Sequence, residues 1–278
     1  MQDRAEFEFT DKHFKWFVKL VFEKTGITLA EQKRDLVYGR LARRLRKLKL
    51  SSFDEYCKLL SNNPEDEMVD FVNSITTNLT SFYREAHHFE YLNKTALTYL
   101  REKRKSEKRI RIWSAGCSTG EEPYSIAMTV RESFPDINDW DIKILATDID
   151  TNVLAKASAG VYQKDKMTGI SKERLKKWFM KPASKNSQDV KVNPKIRELI
   201  TFKQLNLMET WPMKGQFDVL FCRNVVIYFN KDTQRVLFDR FANVLKEDSY
   251  MFLGHSESLY KVSDRFNLLG KTIHQKAA

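Results

Sequence analysis

The sequence predicts an α/β protein: a mostly parallel sheet covered by helices on both faces, preceded by an all-helical domain. Three observations carry this expectation. Residues 11–100 place apolar side chains at three- and four-residue spacing, with almost no glycine or proline inside the periodic segments. From Ile110 onward, short apolar runs alternate with helical patterns, as they do where helices cover a parallel sheet. The first of those runs passes into a glycine-bearing turn, SAGCSTGEE, at the position where open parallel sheets bind ligands.

Taken in order, Phe14, Phe17, Val18, Val21 and Phe22 mark a first helix, and Gly26, Ser51-Ser52 and Asn62-Asn63-Pro64 divide the helical part into short pieces. Between Glu31 and Leu50 lie eight basic residues and two acidic ones. On a helix there, Val37, Leu41, Leu45 and Leu48 share one face, while Arg40, Arg43, Arg44 and Lys47 share another. The charged stretch REKRKSEKR then reads as a linker. The expected division is therefore a basic helical domain over residues 1–100, a linker to about 109, and a second domain over residues 110–278. In that second domain IRIWSA, IKILATDID, FDVLFCRN and SYMFLGH are the strands. Helices are expected from about Pro123 to Glu132, over TNVLAKAS, and from about Lys231 to Leu245. The polar section 160–207, centred on KPASKNSQDVKVNP, should be a small insertion at the edge of the sheet, such as a hairpin.

Composition narrows the function. The chain has 278 residues, 42% of them hydrophobic, enough for one good core and a smaller appendage. With 48 Lys and Arg against 37 Asp and Glu, its net charge of +11 favours an acidic partner: nucleic acid, an anionic surface or an acidic protein. Cys57, Cys117 and Cys222 are far apart and form no CxxC pair, which argues against a zinc site or a disulfide framework and suits a reducing cytoplasm. No run approaches the roughly 20 apolar residues needed to span a bilayer, so a soluble protein is expected. His87 and His88 have no metal-ligand partner at helical spacing, so no metal is expected.

The glycine turn decides more. No GK[ST] follows the glycines, which excludes a P-loop, and three residues separate Gly116 from Gly120, which excludes a strict GxGxxG. A pyrophosphate on the helix N-terminus would face Glu121 and Glu122. S-adenosylmethionine has no phosphate and carries an ammonium and a sulfonium, which a carboxylate at this turn attracts; alternatively, both glutamates only favour the first turn of the helix. A second acid belongs at the end of the second strand, where it can accept hydrogen bonds from both ribose hydroxyls. Asp148 follows the apolar run directly, whereas Asp150 can cap the next helix. Together, turn and acid indicate a Rossmann-like S-adenosylmethionine-dependent methyltransferase domain.

Further segments then become informative: TTNLTSFYREAHHF (Thr76 to Phe89), SAGCSTGEEPYS, ATDID, Asn206-Leu207, FDVLFCRNVVIYF and FLGHSES. In this order they closely resemble the CheR-type chemotaxis receptor methyltransferases, which esterify glutamates of methyl-accepting chemoreceptors and release S-adenosylhomocysteine. The resemblance covers nearly the whole chain. It implies a small antiparallel β-subdomain on the methyltransferase domain. It also implies cofactor contacts from Asn78, Thr80, Arg84, Gly116, Glu121, Asp148, Asn206, Leu207, Arg223 and Asn224. Arg84 offers a guanidinium fork for a carboxylate, and Asn206 a donor and an acceptor for an adenine edge. Without the resemblance, NLTSFYRE reads as an ordinary helix start capped by Thr80. Unlike relatives that dock on a receptor's C-terminal pentapeptide, the chain has no glycine between Gly169 and Gly215.

A glutamate carboxylate is ionised at neutral pH, so methyl transfer needs alignment and a dry site but no general base. Arg84 and Tyr228 are the candidates to hold it, and Arg40, Arg43, Arg44 and Lys47 the candidates to dock the acidic cytoplasmic helices of the receptor. The expected protein is a cytoplasmic monomer. Three other readings are weaker. An RNA methyltransferase would suit the charge, but amino-adenine enzymes place Asn/Asp-Pro-Pro-aromatic where this chain has RNVVIYF, so no nucleic acid is expected. A serine hydrolase would need the second glycine that GHSES lacks, with Asp264 and His274 too close behind Ser256. Retention of Arg84, Glu121, Asp148 and Asn224 speaks against a binding module without transfer activity.

Overall fold

A computed structural model describes residues 6–62, 64–181 and 187–277. The first four helices are α1 (Asp11–Thr25), α2 (Arg34–Leu48), α3 (Phe53–Asn62) and α4 (Pro64–Ile75). Thr10 starts α1 with a reciprocal cap: its side chain accepts from the His13 amide and His13 accepts from the Thr10 amide, both at 3.2 Å. Gly26 ends α1 at φ 73°, in the left-handed region where glycine costs least. Phe14, Phe17, Val21, Val37, Leu41, Leu45, Phe53, Tyr56 and Phe71 bury against one another, so this bundle has a core of its own.

The helices α5 (His87–Tyr91) and α6 (Leu97–Lys103), joined by a π turn over Leu92–Ala96, belong elsewhere. Their Phe89, Leu92, Ala96 and Leu100 share a core with Ile110, Ile112, Val219 and Phe252 of the sheet. The expected boundary near residue 100 therefore moves back to about 76, because the apolar face of residues 82–100 covers the sheet. The charged stretch after Leu100 is no free linker either: Arg104 Nε donates to the fully buried Asp218 Oδ1 at 2.8 Å.

The remaining elements follow as β1 (Arg109–Ala115), α7 (Glu121–Ser133), β2 (Asp141–Asp148), α8 (Thr151–Ala159), β3 (Val161–Gln163), α9 (Lys172–Trp178), β4 (Phe179–Met180), β5 (Asp189–Val192), α10 (Pro194–Arg197), β6 (Ile200–Gln204), β7 (Phe217–Cys222), α11 (Lys231–Val244), β8 (Leu245–Leu253), β9 (Phe266–Gly270) and β10 (Ile273–Lys276). The main sheet runs β6-β2-β1-β7-β8-β10-β9. Its first five strands are parallel, while β10 pairs antiparallel with β8 and β9. This last hairpin was not foreseen, because Leu268 and Leu269 on its edge face outward and break the apolar pattern.

The polar section splits. Its strands β3, β4 and β5 form a three-stranded antiparallel sheet in the order β3-β5-β4, but β6 within 160–207 joins the main sheet beside β2. The small sheet braces the glycine turn: Tyr162 Oη donates to the Thr119 carbonyl at 2.7 Å. Gly169, at φ 82°, lies so close that a Cβ there would fall 2.0 Å from the Phe82 carbonyl oxygen. Residues 182–186, in the middle of the polar section, lie outside the described residues. Among the described residues, no helix is long and apolar enough to cross a membrane.

Candidate active site

The site starts at the carboxyl ends of β1 and β2. The amides of Gly116 and Cys117 both donate to the Thr147 carbonyl, at 2.8 and 2.9 Å, which folds the turn over the end of β2. Gly116 sits at φ 81°, and a Cβ there would meet Val225 Cγ2 at 2.4 Å. Asp148 accepts from the Ser118 amide at 2.8 Å and from the Asp150 amide at 3.0 Å. A carboxylate has roughly four acceptor positions, so capacity remains for a diol. Burial pushes the Asp148 carboxyl up to about 6 despite those backbone donors. Asp150 caps α8 through Oδ1, as the sequence allows, while its Oδ2 accepts from Thr76 Oγ1 at 2.7 Å and Asn78 Nδ2 at 2.8 Å. That clasp ties the segment leaving the helical bundle to the strand end.

Of the two glutamates, Glu122 rather than Glu121 lines the cavity. Consecutive helical residues point about 100° apart, and here that phase turns Glu122 to the cavity. Glu121 turns aside and accepts from Thr119 Oγ1 at 2.7 Å. Glu122 is buried, accepts from Ser114 Oγ at 2.7 Å, and pairs with Arg223 Nη1 at 3.0 Å. Burial raises the Glu122 carboxyl, and Arg223 opposes that rise. Arg223 also donates to the Arg84 carbonyl, so one guanidinium links β7 to the segment that carries Arg84.

That segment is not a helix start. Tyr83 and Glu85 have φ of 51° and 57°, left-handed values unusual for such residues, and the next helix begins only at His87, with Ala86 and not Thr80 at its cap position. Arg84, half-buried, donates to the Leu79 carbonyl at 2.9 Å and lines the cavity. Opposite it, the turn after β7 is held by Glu257. This buried carboxylate accepts from the amides of Asn224 (2.9 Å), Val225 and Val226 (each 2.8 Å) and Gly254 (2.5 Å). The amide of Thr28 donates to the Tyr228 carbonyl at 2.8 Å, so the helical bundle helps to place the Tyr228 turn.

Asn206, expected to read the adenine edge, lines the cavity with its side chain already engaged by the protein. Its amide nitrogen donates to the Lys24 carbonyl at 2.7 Å and to Glu209 at 3.1 Å, while its oxygen accepts from the Met208 amide at 3.0 Å. The side chain is thus engaged in fastening the bundle to the loop after β6. Leu207 packs beside it, with its carbonyl occupied by Trp211 and Arg240.

These groups enclose a cavity of about 590 Å³ between the bundle and the sheet, within the range of small-molecule sites. Asn78, Thr80, Arg84, Gly116, Asp148, Asn206, Leu207, Arg223, Asn224 and Tyr228 all line it; of the expected cofactor contacts Glu121 alone does not. Sequence reasoning weighed both glutamates but assigned the site to Glu121 instead of Glu122, and it missed Ser118, with Ile27 and Lys33 from the bundle. The charge of Lys33 was visible, but only the packing of domains brings it to the cavity.

The basic face of α2 is smaller than expected. Arg44 is largely buried, with its Nε 2.6 Å from Glu67 Oε1 and a second nitrogen paired with Glu67 and Asp70. Arg40 donates to the Ile75 carbonyl and to Thr77 Oγ1. Arg44 serves the bundle itself and Arg40 fastens its last turn to the segment that follows; Arg43 and Lys47 are exposed.

Comparison with known proteins agrees with this architecture. The family model described as the CheR methyltransferase all-alpha domain matches residues 12–76, and that for the CheR methyltransferase SAM binding domain matches residues 78–274. A probable chemotaxis protein methyltransferase of Rhizobium etli is 45% identical over 86% of this chain and 89% of its own length. A chemotaxis protein methyltransferase of Escherichia coli is 42% identical over 95% and 91% of the two chains. Chemotaxis protein methyltransferase 2 of Pseudomonas aeruginosa is 42% identical over 98% and 95%. With both family domains matched in order across a cavity built from strand-end acid and glycine turn, the chain belongs to the CheR family of S-adenosylmethionine-dependent methyltransferases.

Proposed function

We propose that the chain transfers a methyl group from S-adenosylmethionine to glutamate side chains of chemoreceptor cytoplasmic helices, giving methyl esters. The cavity is the observation that carries this reading, since it joins a diol-accepting Asp148 to an Arg84 and Tyr228 rim. The donor set fits the cofactor: the buried Asp148 keeps free acceptor capacity, and Glu122 supplies a carboxylate beside the glycine turn. When bound, the cofactor supplies an electrophilic methyl on a sulfonium. Arg84 and Tyr228 hold the incoming carboxylate without protonating it, and no general base is needed. Asn78, Thr80, Gly116, Leu207 and Asn224 shape the walls, and Arg223 fixes Glu122. Arg43 and Lys47 present positive charge to the acidic receptor. Three free cysteines suit a reducing cytoplasm.

Calorimetric titration with S-adenosylmethionine and S-adenosylhomocysteine, beside incubation of tritiated cofactor with receptor-containing membranes, tests the reading. Cofactor binding lost in Asp148→Ala, together with base-labile label on the receptor, is expected. Binding without receptor label would refute the substrate, and no binding would refute the site.

A further inference from the structure

Beside the cavity, four side chains from two segments converge without being used by methyl transfer. Glu85, His87 and His88 bring one possible ligand atom each within 4.8 Å of one another, and His255 from the turn after β8 lies 3.0 Å from Glu85 Oε1. The fold supplies what residue spacing did not, because the left-handed Glu85 swings its carboxylate against the start of α5.

The His88 ring is fully buried, and its Nε2 lies 3.0 Å from the Lys271 carbonyl and 3.2 Å from Thr272 Oγ1. A carbonyl can only accept, so Nε2 carries the hydrogen and Nδ1 of the neutral ring is a bare lone pair. That lone pair faces Glu85 Oε2 at 3.5 Å, and neither atom has a hydrogen-bond partner. Arg223 Nη2 stands 3.4 Å from the same oxygen as an ion-pair partner, with one of its two hydrogens given to the Arg84 carbonyl. Glu85 Oε2 and the bare His88 Nδ1 thus face each other with no shared hydrogen, and Arg223 approaches only the carboxylate, so a cation held between the two acceptors would satisfy both.

We propose that Glu85, His87 and His88 form a site for a divalent transition metal of the zinc class, with His255 orienting the Glu85 carboxylate. Imidazole and carboxylate are the ligand types such ions prefer, and three protein ligands leave a position for water. A histidine holding the second oxygen of a ligating carboxylate fixes its direction in the manner of outer-shell partners. The ion would sit one residue from Arg84 and beside Arg223, so its occupancy would couple to the posture of the segment that faces the substrate.

The test uses the full chain stripped of metal and titrated with Co²⁺ alone, followed by visible absorption, with Zn²⁺ as competitor. One equivalent of Co²⁺ with ligand-field bands that Zn²⁺ erases is expected. His87→Gln, which changes a half-buried side chain, should weaken binding at least tenfold while leaving the melting temperature of the metal-free protein unchanged. His88→Gln should abolish the bands. Absence of bands at micromolar Co²⁺, or binding of undiminished strength in His87→Gln, would overturn the proposal.

Discussion

Arg44 separates two explanations of the basic helix, and its replacement by alanine distinguishes them. The guanidinium is 10% exposed and lies against Glu67, itself 9% exposed, with a further contact to Asp70 at 39% exposure. Breaking a buried pair costs about 3–5 kcal/mol, because the remaining charge stays buried without its partner. Glu67 keeps the Tyr56 hydroxyl at 2.8 Å, and the Asp70 contact is too exposed to add much, so the low end, about 3 kcal/mol, applies. At roughly 2–4 °C per kcal/mol for a chain of this size, the melting temperature should fall by about 6–12 °C. Differential scanning calorimetry measures this directly. Arg43→Ala is the matched control: its side chain is exposed and makes no ion pair among the described residues. It should melt within about 1 °C of the parent and raise the KM for receptor. An Arg44→Ala protein that melts normally but needs more receptor would refute the structural role and return Arg44 to docking.

Other expectations follow from the site. Asp148 titrates near 6, above its ordinary 3.8, because it is buried; its contribution to stability is therefore full at low pH and lost as pH rises through about 6. In its proposed role Asp148 accepts from the ribose in the ionised form, so affinity for S-adenosylhomocysteine should fall up to about tenfold per pH unit below 6, and Asp148→Asn should flatten that profile. Burial, aided by Arg223, holds His88 down at about 4. Its share of stability is present above pH 6.5 and is lost as pH falls toward 4, so urea midpoints measured in chelator should lose that slope in His88→Gln. Glu257→Gln places an amide against five backbone donors and should cost about 2–4 kcal/mol with at least a tenfold fall in kcat; unchanged turnover would deny Glu257 its part in placing the Tyr228 turn. Gly169→Ala, clashing with the Phe82 carbonyl, should loosen the small sheet and increase its proteolysis.

Elements with strong local periodicity are legible in the residues alone: the opening helices, the strands β1, β2, β7 and β8, and the acid that ends β2. Those signals are short-range. Apolar spacing fixes a buried face, and Asp148 directly follows the apolar run that makes its strand, so both could be read from neighbours alone. Tertiary structure decided what depends on distant partners. Residues 82–100 read as one more set of amphipathic helices, and only the sheet they cover assigns them to the second domain. Glu121 and Glu122 are indistinguishable by type, yet helix phase sends the first to Thr119 and the second to Arg223, 101 positions later in the chain. Arg43 and Arg44 differ in the same way, since one faces water and the other meets Glu67 on a neighbouring helix. Glu85, separated from His255 by 170 positions, meets it because β8 returns to the centre of the sheet beside β7. Long-range charge pairing leaves no periodic trace in a chain, and only packing reveals which of several like residues is buried with a partner.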